Sequence, residues 1–108
     1  MNTQTTVTFR VLPDLNPDAS YLEQEGFEDR RAQYLADLFS FVGIRAEVQL
    51  HDWTTGVVTN VTSAGLWNIE DDSDREYLWQ VGSEELDSLS DELAARGIDI
   101  SGIEPVLE

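Results

Sequence analysis

The sequence has no cysteine, no lysine and only one histidine, His51. Without cysteine, the chain forms no disulfide and offers no thiolate to a metal or a substrate. Without lysine, it has neither the amine of a Schiff base nor the lysine of a phosphate-binding P-loop. A lone histidine lacks a second histidine or a cysteine with which to build a zinc site. We therefore expect a protein that is not an enzyme and carries no cofactor or metal, although a hydrolase that uses two carboxylates stays open.

Long apolar runs are also missing. No stretch comes near the roughly 20 apolar residues that a membrane-spanning helix needs. The polar start, MNTQTTVTF, has neither the basic region nor the apolar region of a secretion signal. We expect a cytoplasmic protein that does not bind membranes.

Positive charge is scarce. The 108 residues include 22 acids against 6 arginines, which gives a formal net charge of −16. A surface with this charge repels nucleic acids and attracts basic proteins. The expected partner is therefore a basic or nucleic-acid-binding protein, and direct binding of nucleic acid is not expected. Because hydrophobic residues still make up 41% of the chain, residues 1–108 are predicted to fold as a single domain.

Alternating apolar and polar residues predict the strands of an α+β fold. In the segment TTVTFRVLP, the side chains of Val7, Phe9 and Val11 alternate with polar ones. Similar alternation, or a short apolar run between turn residues, marks the other strands. The predicted strands are 5–13, 44–50, 57–62 and 66–70, and a short edge strand at Ile98–Ile100 is left open.

Two segments with apolar residues three and four positions apart are predicted to be helices. The first spans residues 21–42, begins at a capping box of Ser20 and Glu23, and ends at Gly43. The second spans residues 74–96. The whole pattern predicts a mainly antiparallel sheet of three to five strands with both helices packed on one face, in the order β-α-β-β-(β)-α-(β).

Five acids crowd into the stretch IEDDSDRE, residues 69–76. Counted from Asp72, the spacing puts tyrosine where a calcium-binding EF-hand loop needs glycine, and serine where it needs glutamate. The stretch fits the start of a helix better. Ser73 and Glu76 have the spacing of a capping box, and acids are favoured near the positive end of the helix dipole.

Further acids follow on the predicted second helix, where Glu84, Asp87 and Asp91 recur three and four residues apart. Such positions lie about 5–6 Å from one another on one helix face, which is comparable with the spacing of charges along a nucleic-acid strand. A solvated face and a ridge of carboxylates that mimics nucleic acid both fit this pattern. Trp79, at the margin of the apolar stripe, is either a core residue or an apolar anchor for a partner. The candidate partner-binding residues are Glu70, Asp71, Asp72, Asp74, Glu76, Trp79, Glu84, Asp87 and Asp91.

The stretch SAGLWNIEDDSDREYL, followed by EELDSLSDEL, resembles a group of small, uncharacterised acidic proteins from actinobacterial genomes and their mobile elements. The shared pattern is Gly-Leu-Trp-x-Ile-Glu-x-Asp-Ser-Asp-x-x-Tyr-Leu. It is matched here by Gly65, Leu66, Trp67, Ile69, Glu70, Asp72, Ser73, Asp74, Tyr77 and Leu78. The resemblance implies an origin in such a genome and names no activity.

These features together predict a non-enzymatic binding protein encoded by a phage or another mobile element. Its carboxylate surface would mimic nucleic acid and block a nucleic-acid-binding protein, as an anti-defence or anti-CRISPR-like inhibitor does. The alternative is a housekeeping adaptor or regulatory domain of a halophile or actinobacterium, whose acidity is a solubility adaptation. The chain is expected to be a monomer or a homodimer.

Overall fold

In the computed structural model, which describes residues 3–108, five strands form one mixed sheet and three helices pack around it. The strands are β1 (Thr3–Pro13), β2 (Phe41–Asp52), β3 (Val58–Thr62), β4 (Leu66–Glu70) and β5 (Val106–Leu107). The helices are α1 (Glu28–Leu35), α2 (Arg75–Asp87) and α3 (Ser90–Ala95), and a short 3-10 turn covers Ser20–Glu23. The predicted α+β class is confirmed.

Strand β2 lies in the middle of the sheet. Strand β1 pairs with it antiparallel, from Thr3 opposite Asp52 to Pro13 opposite Val42. On the other edge of β2, strand β3 pairs with the C-terminal half and β4 with the N-terminal end, both antiparallel. The last strand, β5, adds a two-residue parallel pairing outside β1, whereas the edge strand left open at Ile98–Ile100 does not form.

The main core lies between the sheet and helices α2 and α3. The side chains of Ile44, Ala46 and Val48 in β2 are completely buried there, as the alternation of this strand predicts. Helix α2 comes close to β1 at Gly82, where a Cβ atom would lie 2.4 Å from Cγ of Phe9. Glycine at this position therefore allows the helix to pack directly on the sheet.

The predicted helix over 74–96 is divided into α2 and α3 by a short turn at 88–89. The hydroxyl of Ser88 donates a hydrogen bond of 2.6 Å to the carbonyl oxygen of Glu85, and the N–H of Leu89 bonds to Leu86, three residues back instead of four. Side-chain bonds of this kind compete with the helical ladder. The break falls at this serine, and α2 is continuous through Gly82.

The predicted first helix, 21–42, is wrong in extent. Only the 3-10 turn and α1 are helical, and β2 begins before the predicted end. Gly26, with a φ of 96°, and Asp37, with a φ of 59°, take left-handed conformations on either side of α1 that a helix cannot contain. The capping box of Ser20 and Glu23 does not form either, because no side chain caps the 3-10 turn.

A second, aromatic cluster explains why residues 36–42 are not helical. Leu22, Phe39 and Phe41 are buried in it, with Tyr21 and Tyr34 packed around them. The ring of Phe41 lies 5.3 Å from that of Tyr34 and 5.7 Å from that of Phe39. Residue 41 belongs to β2, where side chains alternate between the two faces, so this cluster lies apart from the core under α2 and α3. Helix α1 thus packs at the N-terminal end of β2 and does not join the other helices on one face.

The molecule is elongated. Its extents are 57 × 23 × 22 Å and its radius of gyration is 17.3 Å, against about 13 Å for a compact domain of this length. The β2–β3 hairpin and the aromatic cluster lie at opposite ends of β2, which accounts for the long axis. Within residues 3–108, no helix is both long enough and apolar enough to cross a membrane.

Candidate interaction surface

A bulge in β4 shapes the surface on which the predicted acidic segment begins. Between two flanking pairs of the β2–β4 ladder, β4 has two residues, Trp67 and Asn68, where β2 has only Gly43. Asn68 accommodates the extra residue with a φ of 63°, a left-handed conformation that asparagine tolerates. Bulges of this kind bend a strand and redirect its side chains. Trp67 consequently lies over Gly43, on the face of the sheet opposite the buried Ile44.

Two glycines, Gly43 and Gly65, shape the site that holds the ring of Trp67, which we call the seat of Trp67. A Cβ atom on Gly43 would lie 2.1 Å from Cε3 of Trp67, so only glycine leaves room for the ring. The indole Nε1 donates a hydrogen bond of 3.1 Å to the carbonyl oxygen of Ala64. Gly65, with a φ of 92°, directs its N–H to Oε1 of Glu85 at 2.8 Å, which fastens this turn to α2. The ring is fixed on one side and remains 41% exposed on the other.

Asn68 also fastens the loop that follows β1. Its N–H donates to Oδ2 of Asp14 at 2.9 Å. Its side-chain amide donates to the carbonyl oxygen of Asp18 at 2.9 Å and accepts a 2.6 Å hydrogen bond from the N–H of the same residue. Three hydrogen bonds therefore join the bulge to the loop 14–18.

Arg30 of α1 binds two of the predicted site residues. Its Nε and Nη2 donate to Oε1 of Glu70 at 2.9 and 2.6 Å, and Nη2 also donates to the carboxylate of Asp72. The hydroxyl of Tyr21 donates to the other carboxylate oxygen of Glu70. The guanidinium carbon lies 3.7 Å from the ring centre of Phe39, a cation–π contact. These five residues, which we call the Arg30 network, join α1 to the end of β4.

Hydrogen bonds and burial shift the pKa values of three members of the network, Asp72, Arg30 and Tyr21. The hydrogen bond from Arg30 holds the pKa of the Asp72 carboxyl below its usual value. The hydrogen bonds to Asp72 and Glu70 raise the pKa of the guanidinium in turn. Partial burial and the hydrogen bond to Glu70 raise the pKa of the Tyr21 phenol. Near pH 7 the carboxylate of Asp72 therefore stays charged and the phenol of Tyr21 stays neutral.

Asp71 likewise has a partner within the chain. Its carboxylate accepts hydrogen bonds from the N–H and the hydroxyl of Ser40, at 3.0 and 2.9 Å. Its own N–H donates to the carbonyl oxygen of Ser40 at 2.9 Å. The predicted site residues 70–72 thus hold the β4–α2 turn against α1 and the start of β2.

The capping box predicted from Ser73 and Glu76 does not form. Asp74 occupies the cap position of α2 without a side-chain hydrogen bond to the helix. The hydroxyl of Ser73 instead donates to the carbonyl oxygen of Glu70 at 2.6 Å. The acids of this turn are therefore explained by the Arg30 network and by the helix dipole, and not by a cap.

The other predicted acids are exposed. Asp74, Glu76, Asp87 and Asp91 have no hydrogen-bond or ion-pair partner for their carboxylates among residues 3–108, and Glu84 has only a 3.4 Å hydrogen bond from Gln80. Asp91 lies on α3, so the ridge predicted on one helix crosses from α2 to α3. These acids, which we call the α2–α3 acids, keep their charge available to a partner.

Trp79 is half-buried. Its ring packs edge-on against Phe9, with 5.1 Å between the ring centres, at the margin of the main core. The tryptophans that present more surface are Trp67 and, on the β2–β3 hairpin, Trp53, which stacks on His51 and is 59% exposed.

A groove of about 490 Å³ lies beside Trp67. Trp67 and Tyr77 border it and are 41% and 44% exposed. Glu70 lines the same groove, so two aromatic residues and an acidic one meet there. Its lining is Tyr21, Leu66, Trp67, Asn68, Ile69, Glu70, Ser73 and Tyr77.

Among residues 3–108, no group of three or more histidine, aspartate or glutamate side chains is arranged to hold a metal ion. No protein-family model matches the chain, and no curated protein or solved structure matches it.

Proposed function

We propose that the protein is a non-catalytic inhibitor that occupies the nucleic-acid-binding surface of a basic protein. The observation that carries the proposal is the density of charge on an elongated body. A net charge of −16 spread over 57 Å amounts to one negative charge per 3.6 Å. One strand of DNA carries a charge about every 3.4 Å along the helix axis, so the net charge per unit length of the two molecules is similar.

The α2–α3 acids are the part of this surface best suited to a partner. Because none of them has an ion-pair partner among residues 3–108, binding them costs no internal ion pair. The helices also fix the backbone positions of these acids before binding, which lowers the entropy lost on association. An inhibitor of this kind, encoded by a phage or another mobile element against a host defence protein, is in keeping with the resemblance of residues 63–93.

The direct test is capture and competition. The tagged protein should retain nucleic-acid-binding proteins from a bacterial lysate, and mass spectrometry should identify them. Added duplex DNA should release them, because DNA and the acidic protein would compete for one surface. Proteins that stay bound in excess DNA would be inconsistent with mimicry of nucleic acid.

Charge reversal on α2 is expected to abolish this binding. The double variant Glu84→Lys with Asp87→Lys should bind a captured partner at least about ten-fold more weakly, because each new lysine faces a basic surface. The matched control is Glu23→Lys with Glu25→Lys, which makes the same change in net charge at exposed residues far along the chain. The control should weaken binding by less than about three-fold. Equal losses in both variants would show that only net charge matters.

Salt is expected to weaken the complex strongly. Between about 0.05 M and 0.5 M salt the affinity should fall at least about ten-fold, because counterions screen exposed charges. An affinity that does not change with salt would contradict the proposal. If no protein is captured and molar salt raises the unfolding temperature steeply, the acidity is a solvent adaptation, as in the alternative predicted from the sequence.

A further inference from the structure

The groove beside Trp67 has the composition of a site for a cationic side chain. Trp67 and Tyr77, both exposed, and Glu70, whose carboxylate binds Arg30 and Tyr21, are among the residues that line it. Aromatic faces attract cations, and the attraction increases where the cation is partly removed from water. Glu70 and Asp72 together carry two negative charges and Arg30 one positive charge, so the Arg30 network leaves one net negative charge beside the groove.

The position of Trp67 is not explained by packing alone. The ring lies outside both buried clusters, on the face of the sheet opposite the main core. It is held there by Gly43 near the start of β2, by a bulge, and by Asn68 in a left-handed conformation. Bulges and strained residues occur preferentially at functional sites. A large apolar ring that is fixed on one face and open on the other is ready for a contact with another molecule.

We propose that this groove binds an arginine side chain of the basic partner, between Trp67 and Tyr77 and next to Glu70. The chain already contains one such arrangement, in which the guanidinium of Arg30 lies on the ring of Phe39 and binds Glu70. A guanidinium is planar and weakly hydrated, so it stacks on aromatic rings better than the ammonium group of lysine does. The groove therefore adds a preference for arginine to the general attraction of the acidic surface. This inference rests on the proposed function, which supplies the basic partner.

The test compares two peptides of equal charge, nona-arginine and nona-lysine, by isothermal titration calorimetry with the full chain. The wild-type protein should bind nona-arginine at least about five-fold more tightly than nona-lysine. The variants Trp67→Leu and Tyr77→Ser should each reduce this preference to less than about two-fold, while the affinity for nona-lysine stays the same. The matched control is Trp53→Leu, which removes a tryptophan outside the groove that is more exposed than Trp67, and it should leave the preference unchanged.

The possible results separate the groove from the proposed function. Equal affinity of the wild-type protein for both peptides, or a preference that survives in both groove variants, overturns the arginine site and leaves the inhibitor proposal standing. If neither peptide binds, both proposals are wrong. Because Trp67→Leu also uncovers Gly43, circular dichroism checks its fold, and Tyr77→Ser provides the same test from an exposed position on α2.

Discussion

Replacing Gly43 by alanine is expected to lower the free energy of unfolding by about 2 kcal/mol. The added Cβ atom would lie 2.1 Å from Cε3 of Trp67, far inside normal contact, so the ring must leave its seat. Overpacking costs about 1–3 kcal/mol, and an overlap this deep belongs at the upper end. The gain from replacing glycine in a strand is about 0.5–1 kcal/mol, which does not offset it. Chemical denaturation measures the change.

A double-mutant cycle identifies the cause. In a Trp67→Leu background, Gly43→Ala should cost less than about 0.5 kcal/mol, because the ring that clashes is gone. Gly43→Ala should also remove the preference for nona-arginine over nona-lysine, since Trp67 no longer borders the groove. A destabilisation of the same size in both backgrounds would place the strain in the backbone of β2 and would refute the account of Trp67.

The strands could be predicted well because their signal is local. Alternation in β2 identified the buried face of Ile44, Ala46 and Val48, and the bounds predicted for β4, 66–70, are those observed. In a strand, each residue's face follows from its immediate neighbours. The bulge in β4 was not predicted, because it depends on pairing with Gly43 in another strand.

The predicted extent of the first helix was wrong because tertiary packing overrides the local helical pattern. The periodic residues Leu35 and Leu38 are 74% and 70% exposed, whereas Phe39 and Phe41, which do not fit the helical period, are buried. Burial of large aromatic rings stabilises the fold by more than helix propensity does, so the aromatic cluster decides where β2 begins. Gly43 was interpreted as a helix stop because it follows the last residue of the predicted helix. Its observed role, as the seat of Trp67, depends on a ring 24 positions away in the sequence.

The sequence located the acidic segment by its charge density, but it did not predict which residues of the chain bind these acids. Arg30 lies 40 residues before Glu70, and no pattern in the sequence links the two. With 22 acids and 6 arginines, an arginine is expected to pair with an acid, but the composition does not distinguish Arg30 from Arg31, which lies between the same aromatic residues, Phe27 and Tyr34. The sequence therefore predicts which surface is acidic, and the structure separates the acids that hold the fold from those that face solvent.

Arg30→Met is expected to lower the free energy of unfolding by about 2 kcal/mol. The substitution keeps an apolar stem on Phe39 but leaves the carboxylates of Glu70 and Asp72 without their cation. Removing one partner of a buried ion pair costs about 3–5 kcal/mol, and the lower value expected here reflects the partial exposure of these side chains. The matched control is Arg31→Met, on the same helix and with the same change in charge. Arg31 has no ion-pair partner among residues 3–108, so its loss should cost less than about 0.5 kcal/mol.

The pH dependence of this difference tests its electrostatic origin. Because Arg30 lowers the pKa of Asp72 in the folded state, Asp72 contributes stability above its unfolded value of 3.8, and that stability is lost as the pH falls through the lower folded value. The difference in stability between wild type and Arg30→Met should therefore be constant above about pH 5 and shrink below about pH 3.8. Subtracting the variant removes the general relief of repulsion that acid brings to a chain of net charge −16, because both proteins share it. A difference that stays the same at low pH would mean that Arg30 stabilises the fold through its packing on Phe39 and not through its carboxylates.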